Sequence, residues 1–191
     1  GISTNLYMPP VRPVNGLFEQ LSAAGKKSIV YYDWEQLRDL WRPGTVELAS
    51  YLKGDYEIND EKHTVAALSD IEEMSPDFVF LYLGNPDCAG HNHGWMGEEY
   101  MKSVEGVWNQ VERVVEKFRD EYTIIITADH GGHERRHGEN IPEDMLIPLI
   151  CIGPDFAPGE LSSANIMDIA PTVAKLTGVT PATEWEGKSL I

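Results

Sequence analysis

Aspartate and histidine gather at two places in this 191-residue sequence, at spacings that suit metal ligation. The first group is Asp87-x-x-x-His91; the second is Asp129-His130, followed by His137. Five of the six histidines fall in these two segments, where glycines also cluster. Isolated residues of these types would read as helix caps or solvated loop positions, but this concentration points to a shared site. A carboxylate oxygen together with imidazole nitrogens is a donor set for zinc or another borderline divalent ion. The flanking glycines let the backbone take the turns that aim several side chains inward.

A second pattern overlaps the first. His133-Glu134-Arg135-Arg136-His137 matches H-E-x-x-H, the zinc-peptidase signature. That chemistry needs both histidines one turn apart on an active-site helix. Here Gly131-Gly132 and Gly138 bracket the five residues and Pro142 follows closely, so no long helix is expected and the match reads as coincidence.

The elements that must position these residues alternate between apolar runs and helical patterns, which is the signature of an α/β fold with a largely parallel sheet. Ser28–Tyr32, Asp77–Leu83, Tyr122–Ala128 and Leu146–Ile152 read as strands, the last three as nearly continuous apolar runs suited to burial on both faces. Helices are expected from Asn15 to near Gly25, over 34–41, 63–74 and 97–119, and over 167–176, where Pro171 demands either a helix start or a kink. The acidic stretch 55–62 reads as a loop. The residues after Leu83 and after Ala128 read as polar loops at strand ends. Open α/β sheets bind ligands just beyond the carboxyl ends of their strands, so these two loops should face a common space. With no repeat, low-complexity tract or linker, 1–191 reads as a single domain.

Composition narrows the function. A formal net charge of −16 disfavours a nucleic-acid docking surface, which needs a basic face, but leaves room for a small phosphorylated substrate if bound metals invert the local field. No apolar run approaches the roughly 20 residues that span a bilayer. Two cysteines, Cys88 and Cys151, are too few for a disulfide framework and read as reduced thiols; with no leading signal segment, a cytoplasmic location is expected.

Asp87-x-x-x-His91 after one strand, Thr127-Ala128-Asp129-His130-Gly131 after another, and a later His137-Gly138 together resemble the metal motifs of the alkaline phosphatase superfamily. Within it, the type I phosphodiesterase and nucleotide pyrophosphatase branch is the closest match. The resemblance implies an alkaline-phosphatase-like α/β domain with a mostly parallel sheet flanked by helices. It assigns Asp87, His91 and His137 to one metal and Asp129 and His130 to a second. The metals would be divalent, zinc first and manganese second, and would serve in-line phosphoryl transfer through a covalent phospho-enzyme.

The opening Gly1-Ile2-Ser3-Thr4-Asn5 resembles the end of a family segment that follows the nucleophile, and Asn5 matches a family residue that hydrogen-bonds a phosphate oxygen. On this alignment the nucleophile, the leading strand and the nucleophile-bearing helix lie upstream of Gly1. The chain is then an N-terminally incomplete catalytic domain, with one complete metal site, half of another and little turnover alone. An open sheet edge would invite a complementing chain or a homo-oligomer. Two alternatives stand beside the phosphodiesterase expectation: a non-catalytic metal-binding module, or another superfamily enzyme such as a phosphonate hydrolase, sulfatase or phosphomutase.

Overall fold

The computed structural model describes residues 14–161 and 163–191. Asn5 therefore lies outside the described residues. The chain forms two compact units, one from residues of 1–53, 69–81 and 161–191, the other from 54–68 and 82–160.

The first unit is built on a parallel sheet of order β2-β1-β3, with β1 at Ser28–Tyr32, β2 at Leu48–Tyr51 and β3 at Phe78–Leu81. Ile29 lies opposite both Leu48 and Val79. All five residues of β1 are buried, as a central strand covered on both faces must be. Helix α1 (Leu17–Ala23) contributes Phe18 and Leu21 to this core, and the helix Ile169–Leu176 contributes Val173 and Ala174. The Phe18 ring meets Trp41 edge-on at 5.7 Å and Phe78 at 5.5 Å. Pro171 is the third residue of its helix, where its missing N–H would have had no helical partner, so no kink is needed. The residues expected as a helix over 34–41 form a 3-10 turn at Glu35–Leu40 instead. β2 was not legible as a strand, because Leu48-Ala49-Ser50-Tyr51 is short and lacks the β-branched run that marks its neighbours.

β1 ends on Asp33, which is 4% exposed and whose two carboxylate oxygens have no hydrogen-bond partner among the described residues. Burial raises its pKa to about 7.

The second unit holds the His/Asp segments. Its strands β4 (Ile124–Thr127) and β5 (Leu149–Ile152) pair antiparallel, Ile124 opposite Ile152. The parallel expectation therefore holds for the three-stranded sheet and not for this pair. Helix α2 (Tyr56–Met74) starts well before His63, because the Asp55 carboxylate accepts the Ile58 amide and caps the acidic stretch into a first turn. Helix α3 covers Asn85–His93, where a polar loop was expected, and packs against α4 (Glu98–Phe118). Pro86 in its first turn starts the helix without cost, and Gly94 at φ +98° ends it. A short helix, α5 (Pro142–Met145), precedes β5, and the helix Ile169–Leu176 is α6. No described helix is long and apolar enough to cross a membrane.

Candidate metal centre

Because the Asp87–His91 segment is helical, the two side chains stand one turn apart on one face of α3. The spacing Asp-x-x-x-His is therefore a helical pair rather than two points on a flexible loop. The helix is held from outside itself: the carboxylate of Asp60, 3% exposed, accepts the amides of Gly84 at 2.9 Å and Asn85 at 3.2 Å. A buried carboxyl group thus caps the N-terminus of the ligand-bearing helix, satisfying amides that the helix leaves free.

Around Asp87 Oδ1 three imidazole nitrogens converge. His91 Nε2 lies at 3.4 Å, His137 Nε2 at 3.6 Å and His130 Nε2 at 3.8 Å. Asp87, His91 and His137 each offer a ligand atom within 4.8 Å of the others. Oδ1 itself is buried and accepts no hydrogen bond among the described residues. Asp129, exposed at the end of β4, comes within 3.7 Å of His130 Nε2 and accepts the His130 backbone amide at 3.1 Å. The five residues predicted as ligands are thus brought together.

Backbone contacts decide which nitrogen faces inward. His91 Nδ1 meets the Arg135 carbonyl at 3.0 Å, and His130 Nδ1 meets the Gly131 carbonyl at 2.7 Å. A carbonyl only accepts, so in both rings Nδ1 carries the proton and donates it. In the neutral ring Nε2 then presents its lone pair toward Asp87. This is how proteins orient metal-binding histidines through the nitrogen that does not bind. Burial, with the neighbouring His130 second, holds the His137 pKa below the usual histidine value. Its ring stacks on that of His130 at 3.6 Å with 14° between the planes. A buried carboxylate oxygen facing three imidazole nitrogens is a donor set that fits a divalent cation.

The other two histidines of these segments go elsewhere. His93 is exposed at the last turn of α3. His133 Nδ1 pairs with the buried Asp144 Oδ1 at 2.7 Å, and that hydrogen bond raises the His133 pKa. Residues 133–136 form a tight antiparallel bridge with Glu134 at φ +48°, and no helix runs through them. His133 and His137 therefore serve different partners, and the peptidase geometry does not exist here.

Trp95 packs against the histidine cluster. Its ring lies edge-on to His91 at 5.0 Å and to His137 at 5.9 Å. A Cβ on Gly90 or Gly132 would fall 2.5 Å or 2.2 Å from Trp95 carbons, so the indole occupies the space those two glycines leave. The glycines were the signal; what filled them could not be read from sequence. Asp60 and Asp144 were missed as well, each being an ordinary acidic position until burial and partners are known.

A family model described as the Metalloenzyme superfamily matches residues 46–181, a span that contains every residue of this cluster. The chain belongs to the Metalloenzyme superfamily. Several curated proteins similar to it are phosphoglycerate mutases. It is 32% identical over 144 residues to 2,3-bisphosphoglycerate-independent phosphoglycerate mutase 2 of Methanosarcina barkeri, covering 71% of this chain and 26% of that protein. It is 31% identical over 144 residues to the corresponding mutase of Clostridioides difficile, again covering 71% of this chain and 27% of the relative. The metalloenzyme chain thus spans about a quarter of the curated relatives it matches. Among solved structures, Leishmania mexicana phosphoglycerate mutase, crystallised at low cobalt concentration, superposes with a TM-score of 0.67 at 16% identity over 90% of this chain and 38% of that one. The PH0037 protein of Pyrococcus horikoshii gives 0.58 at 16% identity over 83% and 51%. These likenesses establish the alkaline-phosphatase-like α/β fold. They also correct the expected branch: the similar proteins are phosphoglycerate mutases, not phosphodiesterases or nucleotide pyrophosphatases. The motifs that carry the metals do not distinguish these branches, which is why the sequence reading placed the family and missed the branch.

Proposed function

We propose that this chain carries the metal-ligand segments of a metal-dependent phosphomutase, an enzyme that moves a phosphoryl group within a small phosphorylated substrate such as a phosphoglycerate. The observation that carries the metal half of this reading is Asp87 Oδ1, buried, without a hydrogen-bond donor among the described residues, and faced by three Nε2 atoms. The similarity to phosphoglycerate mutases supports the substrate half. Asp87, His91 and His137 would hold one divalent ion, and Asp129 and His130 would contribute to a second; zinc and manganese are the candidates. Ions so held neutralise charge on a transferring phosphoryl group. The chain's own contribution is orientation: α3 fixes Asp87 and His91 as a unit, and the Arg135 and Gly131 carbonyls hold two imidazoles in the tautomer that presents Nε2. Asn5 remains the proposed phosphate-oxygen donor. A hydroxyl nucleophile, which the family resemblance implies, is assigned to no residue of this chain. Among the described residues β3 and β4 each lie at a sheet edge and are half-buried, which supports pairing with further polypeptide, whether a complementing chain or a second copy.

The test is an assay of the full-length gene product with manganese or zinc on 3-phosphoglycerate. Appearance of 2-phosphoglycerate without matching release of inorganic phosphate is the expected result. Hydrolysis of bis(4-nitrophenyl) phosphate with no isomerisation would reject the mutase reading.

A further inference from the structure

Beside the histidine cluster lies an open cavity of about 490 Å³ lined by His93, Trp95, Glu134, Arg135 and Arg136 together with Gly94 and Gly97. Its volume is that of a small-molecule site. It adjoins the cluster through Trp95, whose ring touches both this space and the edges of His91 and His137. Its charge runs against the rest of the chain. The protein has 31 acidic and 15 basic residues, yet this wall carries two arginines and a histidine against one glutamate.

The two arginines differ. Arg136 is engaged, its Nε donating to His133 Nε2 at 3.1 Å and its guanidinium lying 3.3 Å from Glu139. Among the described residues the Arg135 guanidinium makes no hydrogen bond and no ion pair. Its backbone, by contrast, is fixed on every side. The Glu134 carbonyl before it accepts the Trp95 amide at 2.7 Å, its own carbonyl accepts from His91 Nδ1 at 3.0 Å, and the Arg136 amide after it donates to the His133 carbonyl at 3.0 Å. An exposed arginine whose main chain is tied to a candidate ligand histidine, and whose fork is unengaged among the described residues, can meet an oxyanion at a fixed position beside the cluster.

Resting on the phosphomutase reading, we infer that this cavity is the recognition site for the substrate's second anionic group, a carboxylate or a further phosphate, with Arg135 as its anchor. The metal cluster would take one phosphoryl group while Arg135 selects among phosphate monoesters by what they carry at the other end. Specificity for a doubly anionic substrate then comes from this chain's own Arg135-bearing turn.

The experiment titrates the full-length gene product first with manganese or zinc and then, metal-loaded, with 3-phosphoglycerate, 2,3-bisphosphoglycerate and glycerol 1-phosphate by calorimetry. The two doubly anionic ligands are expected to bind about tenfold tighter than glycerol 1-phosphate, the preferred one identifying carboxylate or phosphate as the natural group. In Arg135→Ala that preference should vanish while metal affinity holds, because only the Arg135 carbonyl touches His91. Arg135→Lys should restore part of it, since a lysine supplies charge without the fork. Equal binding of all three ligands by the metal-loaded wild type would overturn the inference and leave the metal reading standing. A preference that survives in Arg135→Ala would also overturn it. Failure of the wild type to bind either metal would overturn the phosphomutase reading itself, and the inference with it.

Discussion

Strands β1 and β4 both run from apolar residues toward an aspartate, yet the two aspartates live differently. β1 is buried along its whole length and delivers Asp33 into a site where neither oxygen finds a donor among the described residues, so burial raises its pKa to about 7. β4 is half-buried and leads through Ala128 to Asp129 and His130, with Asp87, His91 and His137 gathered near by. A third aspartate, Asp60, is as buried as Asp33, but it accepts the two amides that begin α3. The same side chain is thus a protonation-prone buried acid, a candidate ligand and a helix cap. Neighbours, not residue type or depth, decide which.

The sharpest way to break that comparison is through pH. Asp33 has its pKa raised to about 7 by burial, so the fold favours its neutral form. Relative to acid, stability should fall from about pH 4, where the unfolded carboxyl ionises, up to about pH 7, where the folded one does, and level off above. The span is up to about 4 kcal/mol for a shift of this size. Asp33→Asn should flatten that slope, read by urea unfolding at pH 5 and pH 8. A wild-type slope unchanged by the substitution would mean that Asp33 is charged or partnered after all.

Next in size is Asp87→Asn. It removes the charge that three imidazoles face, and manganese affinity by calorimetry should drop about a hundredfold or more. Asp60→Ala should act at one remove. With the α3 amides uncapped, metal affinity should fall about tenfold and stability by about 1–3 kcal/mol. Asp60→Asn, which keeps an acceptor, should recover part of both. If stability falls while metal affinity does not, Asp60 supports the fold alone. The smallest effect belongs to His133→Ala. Because His133 pairs with Asp144 rather than Asp87, metal affinity should stay within about twofold of wild type, whereas His137→Ala should match Asp87→Asn. Equal losses from the two histidine variants would revive the H-E-x-x-H pairing.

The five ligand candidates were legible because their spacing survives any local conformation: Asp87 with His91, Asp129 with His130, and His137 beyond. The parallel core strand β1 was legible for a similar reason, since a run of Ser-Ile-Val-Tyr-Tyr has few other places to go. What the segment after Leu83 becomes was not, because whether a polar, proline-containing stretch is loop or helix depends on Asp60, which lies 24 residues from Gly84 in sequence. The free fork of Arg135 and the filling of Gly90 and Gly132 by Trp95 were likewise invisible, each being a relation between segments brought together only by folding. Residue types and short-range periodicity, which act within a turn or a strand, determined the family, the α/β class and the donor atoms. Tautomer, protonation and capping are set by burial and by partners distant in sequence, and only the tertiary structure decided them.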